Sequence, residues 1–310
     1  MTGQKIATPF LWLMFAALPF FACKSALPKG PVDVPAGFDW QGHRGCRGIM
    51  PENTIPAFLK ALEFAEVTTL ELDLAVSSDK QLIVSHEPWF NSAICRLPNG
   101  DTIPKRDETK HLIYRMTASD LRAYDCGSWG NPRFPGQQPA KAYKPLLREV
   151  VEAVRARYPE KAAAIRWNIE IKSQPEWDGL RHPPVEDFVR LVVAEVRSLG
   201  IEKKCVIQSF DVRALQALHR QAPELTLAFL IENISGFDTN IRKLGFLPAI
   251  YSPYFQLVSK KLVHKCHAQG IKVIPWTVND VPAMRGLIHL GVDGIITDYP
   301  NKIGEVSAPN

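Results

Sequence analysis

Residues 69–76 read TLELDLAV and residues 166–172 read RWNIEIK, and apolar and polar side chains alternate in both stretches. A period of two is typical of a β-strand, because successive side chains of a strand point to opposite faces. Glu71 and Asp73 therefore share one face of the first strand, and Glu170 and Lys172 share one face of the second. Strands with an apolar face under helices and charges on the other face are expected to present those charges at the mouth of a barrel.

Similar β-like runs continue along the chain and alternate with amphipathic segments. The runs are FDWQGHR (38–44), QLIVSHE (81–87), KCVIQSF (204–210), LTLAFLI (225–231), AIYSP (249–253), IKVIPWTV (271–278) and DGIITD (293–298), and the amphipathic segments include 56–66, 146–157, 186–199, 212–221, 260–269 and 281–290. Such alternation predicts a parallel sheet with helical crossovers. Roughly 270 residues in this pattern suit a single (β/α)₈ TIM barrel. Nine candidate strands compete for eight places and AIYSP is the weakest; a doubly wound open sheet is the structural alternative.

Composition and charge exclude several classes of protein. The chain has 310 residues, of which 46% are hydrophobic and 22% charged, which is typical of a globular protein and excludes a disordered, collagenous or coiled-coil chain. Its net charge of +5 is dispersed, which argues against a nucleic-acid partner. No stretch reaches the ~18 apolar residues of a membrane span.

The amino terminus has the pattern of an export signal. Lys5 precedes an almost unbroken apolar run at 10–22, which predicts a signal peptide over residues 1–22. A buried N-terminal helix is the alternative, and Pro9, Pro19 and the abrupt polar change at Lys24 count against it. Cys23 follows directly and resembles the lipidated cysteine of bacterial lipoproteins, so residues 23–37 are expected to be a linker. We expect a location in the bacterial periplasm or at a membrane surface, held there by a lipid anchor.

One segment interrupts the strand–helix pattern. Residues 87–145 contain the turn-rich sequences LPNGDTIP and NPRFPGQQP and no clear strand–helix unit. We therefore expect an insertion after the third strand, within a barrel domain that covers residues 38–303. Insertions at this end of a barrel strand lie beside the active site.

The cysteines favour one disulfide and several buried thiols. Cys95 and Cys126 flank a loop-rich stretch and could pair there. Cys46, Cys205 and Cys266 lie on expected core elements, where cysteine acts as a small hydrophobic residue. The absence of a Cys-x-x-Cys motif argues against a thiolate zinc site.

The charged side chains at the strand ends predict a metal centre. Any single carboxylate could be a surface residue or a salt-bridge partner. Glu71, Asp73 and Glu170 gathered at one mouth would repel one another unless a cation neutralised them. Oxygen ligands of this kind select Mg²⁺ or Ca²⁺ over softer metals.

Two histidines and two cations complete the candidate site. His43 ends the first strand and His86 ends the third, where they could act as a general acid and base near neutral pH. Arg44 and Lys172 could hold a phosphate. Together with a carboxylate-bound metal, this set indicates phosphoryl or phosphodiester chemistry. The sequence lacks the Gly-x-Ser-x-Gly and Gly-x-Gly-x-x-Gly motifs that would indicate a serine hydrolase or a dinucleotide fold.

With these residues in these positions, the sequence resembles the glycerophosphodiester phosphodiesterase family. The resemblance covers residues 41–300, and the motifs that carry it, in order, are GHRG (42–45), PENT (51–54), LELDLAVSSDKQLIVSHE (70–87), NIEIK (168–172), QSF (208–210), PWTVND (275–280) and GVDGIITDYP (291–300). The family usually has His-Asp after the third strand, whereas this chain has His86 followed by Glu87.

The resemblance implies a TIM barrel with one divalent cation, Ca²⁺ or Mg²⁺. The implied ligands are Glu71, Asp73 and Glu170, and Glu52 is either a further ligand or the partner of Arg44. By the same resemblance His43 and His86 are the acid–base pair, Arg44 and Lys172 lie near the phosphate, and Trp276 walls the glycerol side. The implied mechanism is attack of the glycerol 2-hydroxyl on phosphorus, followed by opening of the cyclic phosphate by water.

The expected activity is hydrolysis of a small glycerophosphodiester to glycerol 3-phosphate and an alcohol, in the breakdown of phospholipid head groups. A rival is a lysophospholipase D-like or phosphoinositide-cleaving enzyme, for which an apolar trough could come from Trp89, Phe90, Trp129 and Phe134. The same four residues could instead form the core of the insertion. A second rival, of another class, is a lipoprotein that binds phosphodiesters without turnover.

Overall fold

The computed structural model describes residues 30–308. The predicted signal peptide, Cys23 and the first part of the predicted linker lie outside the described residues. Within residues 30–308, no helix combines the length and the apolar character needed to cross a bilayer.

The described chain alternates strands and helices. Its strands are β1 (Asp39–Gly42), β2 (Thr69–Val76), β3 (Leu82–Val84), β4 (Arg166–Ile171), β5 (Cys205–Ser209), β6 (Thr226–Ile231), β7 (Ile250–Pro253), β8 (Lys272–Val273) and β9 (Gly294–Thr297). Its α-helices are α1 (Ile55–Ala61), α2 (Ala118–Leu121), α3 (Leu147–Arg157), α4 (Pro159–Ala164), α5 (Val185–Ser198), α6 (Val212–Gln221), α7 (Phe237–Leu244), α8 (Lys260–His267) and α9 (Val281–Leu290).

Eight parallel strands form a nearly closed barrel in the order β8-β7-β6-β5-β4-β2-β1-β9. Backbone hydrogen bonds join the two ends of this order. The Asp293 N–H donates to the Val273 carbonyl over 2.9 Å, and the Ile296 N–H donates to the Pro275 carbonyl over 3.0 Å. The predicted TIM barrel is confirmed, and the open sheet is excluded.

The nine candidate strands include one that is not a barrel strand, and it is not the weakest candidate. AIYSP, the weakest candidate, contains β7, which pairs with β6 and β8 inside the barrel. QLIVSHE contains β3, which runs antiparallel to β2 with Leu74 opposite Val84. The chain therefore turns back beside β2, and the Ser85 N–H donates to the Asp73 carbonyl over 2.9 Å. This return brings His86 to the barrel mouth from above rather than at the end of a barrel strand.

The alternation on β2 and β4 divides their side chains as the sequence predicts. Leu70, Leu72 and Leu74 of β2 belong to the large core between strands and helices, as do Ile169 and Ile171 of β4. The alternate positions point inward. Half of the barrel interior is apolar and is filled by Val206, Ala228, Ile250, Ile274 and Ile296, whereas the half formed by β1, β2 and β4 is polar.

Residues 87–145 pack around a small core of their own at the mouth. Phe90, Ile113, Leu121 and Tyr124 are buried together, and the disulfide Cys95–Cys126 lies in the same cluster. The pairing that the sequence suggested is thus present. The other predicted core cysteines are free and buried, as expected: Cys46, Cys205 and Cys266.

The disulfide is expected to stabilise the protein. It closes a loop with a sequence separation of 31 residues, which in the chain-entropy description is worth roughly 3 to 4 kcal/mol. Replacing both Cys95 and Cys126 with Ser should lower the unfolding temperature by roughly 5 to 10 °C. Calorimetry with and without reductant measures this: reductant should lower the unfolding temperature of the wild type and leave that of the double variant unchanged. Equal unfolding temperatures for the wild type and the variant would contradict the prediction.

Candidate active site

Three buried carboxylates meet at the mouth because their strands are neighbours in register. In the parallel pairing of β2 with β4, Asp73 lies opposite Glu170, and Glu71 lies opposite Asn168. Ligand oxygens of Glu71, Asp73 and Glu170 all lie within 4.8 Å of one another. The predicted metal ligands on strands are therefore brought together.

Fixed donors hold each of the three carboxylates. Glu71 accepts from the Gln208 amide over 2.9 Å and from the Arg44 backbone N–H over 2.8 Å. Arg44 adopts a left-handed backbone with φ of 49°, unusual for a non-glycine residue, and this turn aims its N–H at Glu71. Asp73 accepts from the Asn53 amide over 2.8 Å, and Lys172 lies 2.8 Å from Glu170.

The three carboxylates fit a divalent cation. Burial raises the pKa of Glu71, and the charges of Asp73 and Glu170 raise it further. Burial also raises the pKa of Glu170. The buried oxygen Oδ1 of Asp73 has no hydrogen-bond partner among the described residues. A cation between them would stabilise all three ionised groups and complete the coordination of this oxygen, and an all-oxygen donor set suits Mg²⁺ or Ca²⁺.

The charge balance of the site supports the same conclusion. Together with their charged neighbours, the three carboxylates and the two histidines form a site with six acidic and four basic side chains. These are Glu52, Glu71, Asp73, Glu87, Glu170, Asp298, Arg44, Arg47, Lys144 and Lys172. Two negative charges are left in excess. One divalent cation would balance them, which matters because uncompensated buried charge is strongly destabilising.

His43 is held by the carboxylate of Asp298, which directly follows β9. Its Nδ1 lies 2.6 Å from Oδ1 of Asp298, and its Nε2 lies 3.9 Å from Oε2 of Glu71. Asp298 also accepts from Arg47 over 2.9 and 3.0 Å and from the Asn279 amide over 2.7 Å. Burial and the positive charge of Arg47 lower the pKa of His43 to about 4. The ring is therefore neutral at neutral pH, with Nδ1–H donated to Asp298 and the Nε2 lone pair facing the mouth.

His86 has a parallel arrangement. Its Nδ1 lies 3.1 Å from Oε1 of Glu87, the residue that departs from the family's usual Asp. Burial opposes ionisation of Glu87, but its hydrogen bond with His86 and the charge of Arg44 hold its pKa below the usual range. The longer carboxylate thus reaches the ring that it follows in sequence. Both histidines have a carboxylate on Nδ1 and leave Nε2 for other contacts.

Arg44 and Lys172 are each engaged by carboxylates. Arg44 donates to Glu52 over 2.6 Å and lies 3.2 Å from Asp73, whereas Lys172 contacts Glu170 and lies 4.0 Å from Asp73. Glu52 is not a member of the three-carboxylate group found among the described residues. Of the two roles considered for Glu52, the structure places it as the partner of Arg44.

Both histidines, Glu71, Glu170, Arg44 and Lys172 line one cavity of about 780 Å³. Trp276 forms part of its wall, with its ring centroid 5.3 Å from that of Phe210 and 5.6 Å from that of Tyr254. Arg133, Phe134 and Trp177 line other parts of the wall. Of the four aromatic residues that could have formed an apolar trough, only Phe134 lines the cavity. Phe90 is in the insertion core, Trp129 is exposed, and the Trp89 ring centroid lies 6.1 Å from that of Trp177.

A chain of polar side chains runs up the barrel interior to Glu71. The Gln41 amide donates to Asp39 over 2.9 Å, and the Asn168 amide donates to Gln41 over 2.7 Å and to Gln208 over 3.1 Å. Because the Gln208 oxygen accepts from Asn168, its amide nitrogen is directed at Glu71. The network fixes the orientation of the Glu71 carboxylate from below.

Sequence reasoning missed several residues that complete the site. Asp298 and Asn279 lie within quoted motifs, TDYP and WTVND, but a lone carboxylate or amide in a motif does not reveal which histidine it contacts. Arg47 and Lys144 carried no signal that could have identified them. Lys144 comes from the end of the insertion and donates to Ser85 over 2.7 Å, next to His86.

The fold and the site combine a TIM barrel with an acidic group that could hold a metal and two histidines held by carboxylates, which is typical of enzymes of metal-assisted hydrolysis. Comparison with known proteins identifies the family. Residues 43–302 match the glycerophosphoryl diester phosphodiesterase family. The chain therefore belongs to this family, as the motifs predicted.

Relatives and solved structures span most of the chain. A glycerophosphodiester phosphodiesterase of Caldanaerobacter subterraneus is 29% identical, with coverage of 84% of this chain and 94% of the relative. Human lysophospholipase D is 27% identical, with coverage of 84% and 83%. A crystal structure of a Silicibacter pomeroyi protein, named for the same family, has 31% identity, a TM-score of 0.77 and coverage of 88% and 93%. A phosphodiesterase of Oleispira antarctica in complex with sn-glycerol-3-phosphate shares the fold, with 22% identity, a TM-score of 0.68 and coverage of 88% and 96%.

The contact between Asp298 and His43 gives a direct prediction. Asp298→Asn should lower kcat by roughly 10²- to 10⁴-fold, because the ring loses the carboxylate that fixes its tautomer and stabilises its protonated form. Arg47→Gln is the matched control, since it removes the other ion pair of Asp298 and keeps the contact with His43. Its kcat should fall by less than tenfold.

Steady-state kinetics separates kcat from KM for the two variants, and thermal unfolding checks the fold of each. A folded Asp298→Asn variant with unchanged kcat would remove Asp298 from the mechanism. Equal losses of kcat in the two variants would show that the ion pair with Arg47, rather than the contact with His43, matters.

Proposed function

We propose that this protein hydrolyses small glycerophosphodiesters to glycerol 3-phosphate and an alcohol, using one Mg²⁺ or Ca²⁺. Family membership supports the reaction class, and the group formed by Glu71, Asp73 and Glu170 is the observation that carries the metal dependence. When bound there, the cation would polarise a phosphoryl oxygen and stabilise the negative charge that develops on it.

The two histidines supply the proton transfers in this proposal. One histidine, neutral at the start, takes the proton of the glycerol 2-hydroxyl on its Nε2 as that oxygen attacks phosphorus. The other histidine, which enters the step protonated, gives its Nε2 proton to the departing alcohol oxygen. Water then opens the cyclic phosphate with the roles reversed. His43 and His86 suit these roles because Asp298 and Glu87 hold Nδ1 of each ring and stabilise the protonated form when it arises.

Arg44 and Lys172 would favour the anionic substrate through their positive charge at the same mouth. Both lie beside the carboxylates and line the cavity. Trp276 would form an apolar wall against the glycerol carbons, since its indole N–H is already satisfied by the Ser252 carbonyl at 3.0 Å. The indole thereby presents its rings, rather than a polar atom, to the cavity.

We place this activity outside the cytoplasm. The sequence of residues 1–22 favours export, and the disulfide Cys95–Cys126 suits an oxidising compartment such as the bacterial periplasm. Cys23 would carry a lipid anchor. The proposed substrates are small molecules, and the dispersed charge offers no nucleic-acid surface.

A lysophospholipid is the second candidate substrate. The aromatic cavity residues Phe134, Trp177 and Phe210 support it, because they could contact carbon atoms beyond a small head group. The similarity to human lysophospholipase D points the same way. No feature of the described site favours binding without turnover, because the carboxylates and both histidines are in place.

Product release tests the proposal. Glycerol 3-phosphate should appear when glycerophosphocholine or glycerophosphoethanolamine is supplied with Mg²⁺ or Ca²⁺, and its release should stop with a chelator. Lysophosphatidylcholine is assayed in parallel. Release from the lysolipid alone would favour the second candidate. Absence of product from every substrate in the presence of Mg²⁺ and of Ca²⁺ would overturn the proposal.

The metal assignment predicts the effect of removing single charges. Glu71→Gln and Glu170→Gln keep the side-chain shape and remove one ligand charge each, so turnover at limiting metal should fall by at least roughly 10²-fold. Glu232→Gln is the matched control. Glu232 lines the same cavity but lies outside the three-carboxylate group, so its variant should keep activity within about threefold.

Activity as a function of metal concentration measures the effect. The two ligand variants should need far more metal than the control variant. Near-normal turnover by Glu71→Gln and Glu170→Gln at limiting metal would contradict the assignment.

A further inference from the structure

Exposed apolar side chains are concentrated at one end of the barrel. Large hydrophobic side chains that are exposed within residues 30–308 are Trp129, Leu180, Phe210, Ile234 and Leu247. Leu247 precedes β7 and lies at the amino end of the strands. The other four, here called the apolar rim, lie in the insertion and in the loops that follow β4, β5 and β6, which all belong to the carboxyl end.

The apolar rim is tied to the mouth of the cavity. Phe210 lines the cavity itself. Leu180 donates its backbone N–H to Trp177, a cavity residue, over 2.9 Å. Ile234, whose side chain is 92% exposed, follows Glu232 of the cavity wall by two residues.

Trp129 is the rim residue that lies in the insertion. It is 63% exposed and lies four residues before Arg133, which lines the cavity. The insertion segment that contains both residues is fixed at the mouth, because the Gln137 amide donates to the carbonyls of Arg47 and Met50 over 2.7 and 3.0 Å. Each of the four rim residues therefore lines the cavity or lies within four residues of one that does.

Basic side chains accompany the rim. The Arg96 guanidinium lies 4.4 Å from the centre of the Trp129 ring, and Arg181 follows Leu180 directly. Ile234 borders a groove of about 410 Å³ whose wall also includes Leu257, Leu262 and Lys261. Residues 87–145 contain nine Lys and Arg against six Asp and Glu. Apolar tips mixed with basic side chains are the composition of surfaces that bind anionic lipid.

A lipid surface fits this arrangement better than a protein partner. Scattered exposed apolar residues are ordinary on a protein surface, but their concentration at one end calls for a reason. A rigid protein seated on all four rim residues would crowd the mouth of the cavity of about 780 Å³, because Phe210 lines that cavity and the other three follow or precede its lining residues closely in the chain. A fluid bilayer can receive the separate tips individually and leave small molecules a route between them.

We propose that the apolar rim docks this protein on an anionic lipid bilayer, with the mouth of the cavity facing the bilayer surface. Trp129, Leu180 and Ile234 insert their side chains at the interface, and Arg96, Arg181 and Lys261 place positive charge near the lipid phosphates. Docking of this kind is separate from any lipid on Cys23 and does not depend on the reaction that the cavity supports.

Sedimentation with vesicles tests the proposal on a chain that begins at Lys24, which keeps every described residue and removes the signal peptide and Cys23. The vesicles contain phosphatidylcholine alone or phosphatidylcholine mixed with phosphatidylglycerol. The test variant combines Trp129→Ser, Leu180→Ser and Ile234→Ser, and Phe210 is left intact because it lines the cavity. Leu247→Ser is the matched control, an exposed leucine at the opposite end.

The wild type should bind the anionic vesicles more strongly than the zwitterionic ones. The triple variant should lose at least about tenfold in partition coefficient, and the control variant should bind like the wild type. Unchanged unfolding temperatures would show that all variants are folded. Absence of wild-type binding, equal binding by the triple variant, an equal loss in the control variant, or equal binding to both kinds of vesicle would each overturn the proposal.

Discussion

The repulsion among three buried carboxylates is the constraint around which the mouth of this barrel is organised. Glu71, Asp73 and Glu170 are almost fully buried and face one another across neighbouring strands. Separately, each would be expensive to bury as an ion. Together they are tolerable only with donors and positive charge nearby, and Arg44 and Lys172 supply part of that charge. A cation bound among the three carboxylates would supply the remainder.

The same constraint connects the site to the rest of the barrel. The polar chain from Asp39 through Gln41, Asn168 and Gln208 occupies one half of the interior and ends on Glu71. The other half is filled by apolar side chains, which pack together beside the network. The interior of the barrel therefore orients the Glu71 carboxylate from below, and residues of the loops above orient the two histidines.

The strand pattern and the metal group could be predicted because both depend on local periodicity. Alternation on β2 and β4 places Glu71, Asp73 and Glu170 inside wherever the leucines and isoleucines face the helices. Periodicity does not encode strand direction, so β3 was not distinguishable from a barrel strand. Periodicity also left β7 as the weakest candidate strand, because its four residues are all buried and show no alternation.

The sequence indicates one of the two carboxylates that contact the histidines better than the other. Glu87 follows His86 directly, so the sequence placed a carboxylate there without fixing its contact. Asp298 lies 255 residues after His43, and their contact exists only because β9 closes the barrel beside β1. Glu52 shows the opposite difficulty: the motif brought it to the site, but only the position of Arg44 decided between its two roles. Long-range contacts of this kind depend on closure of the fold rather than on any local pattern.

The most direct test of the central claim is the location of the metal. A crystal of the chain grown with Mn²⁺, which shares the preference for oxygen ligands, should give one strong anomalous peak among the carboxylate oxygens of Glu71, Asp73 and Glu170. The same peak should be absent from a crystal of the Glu71→Gln variant. A wild-type map without a peak at these three residues, or with its only strong peak elsewhere, would contradict the account.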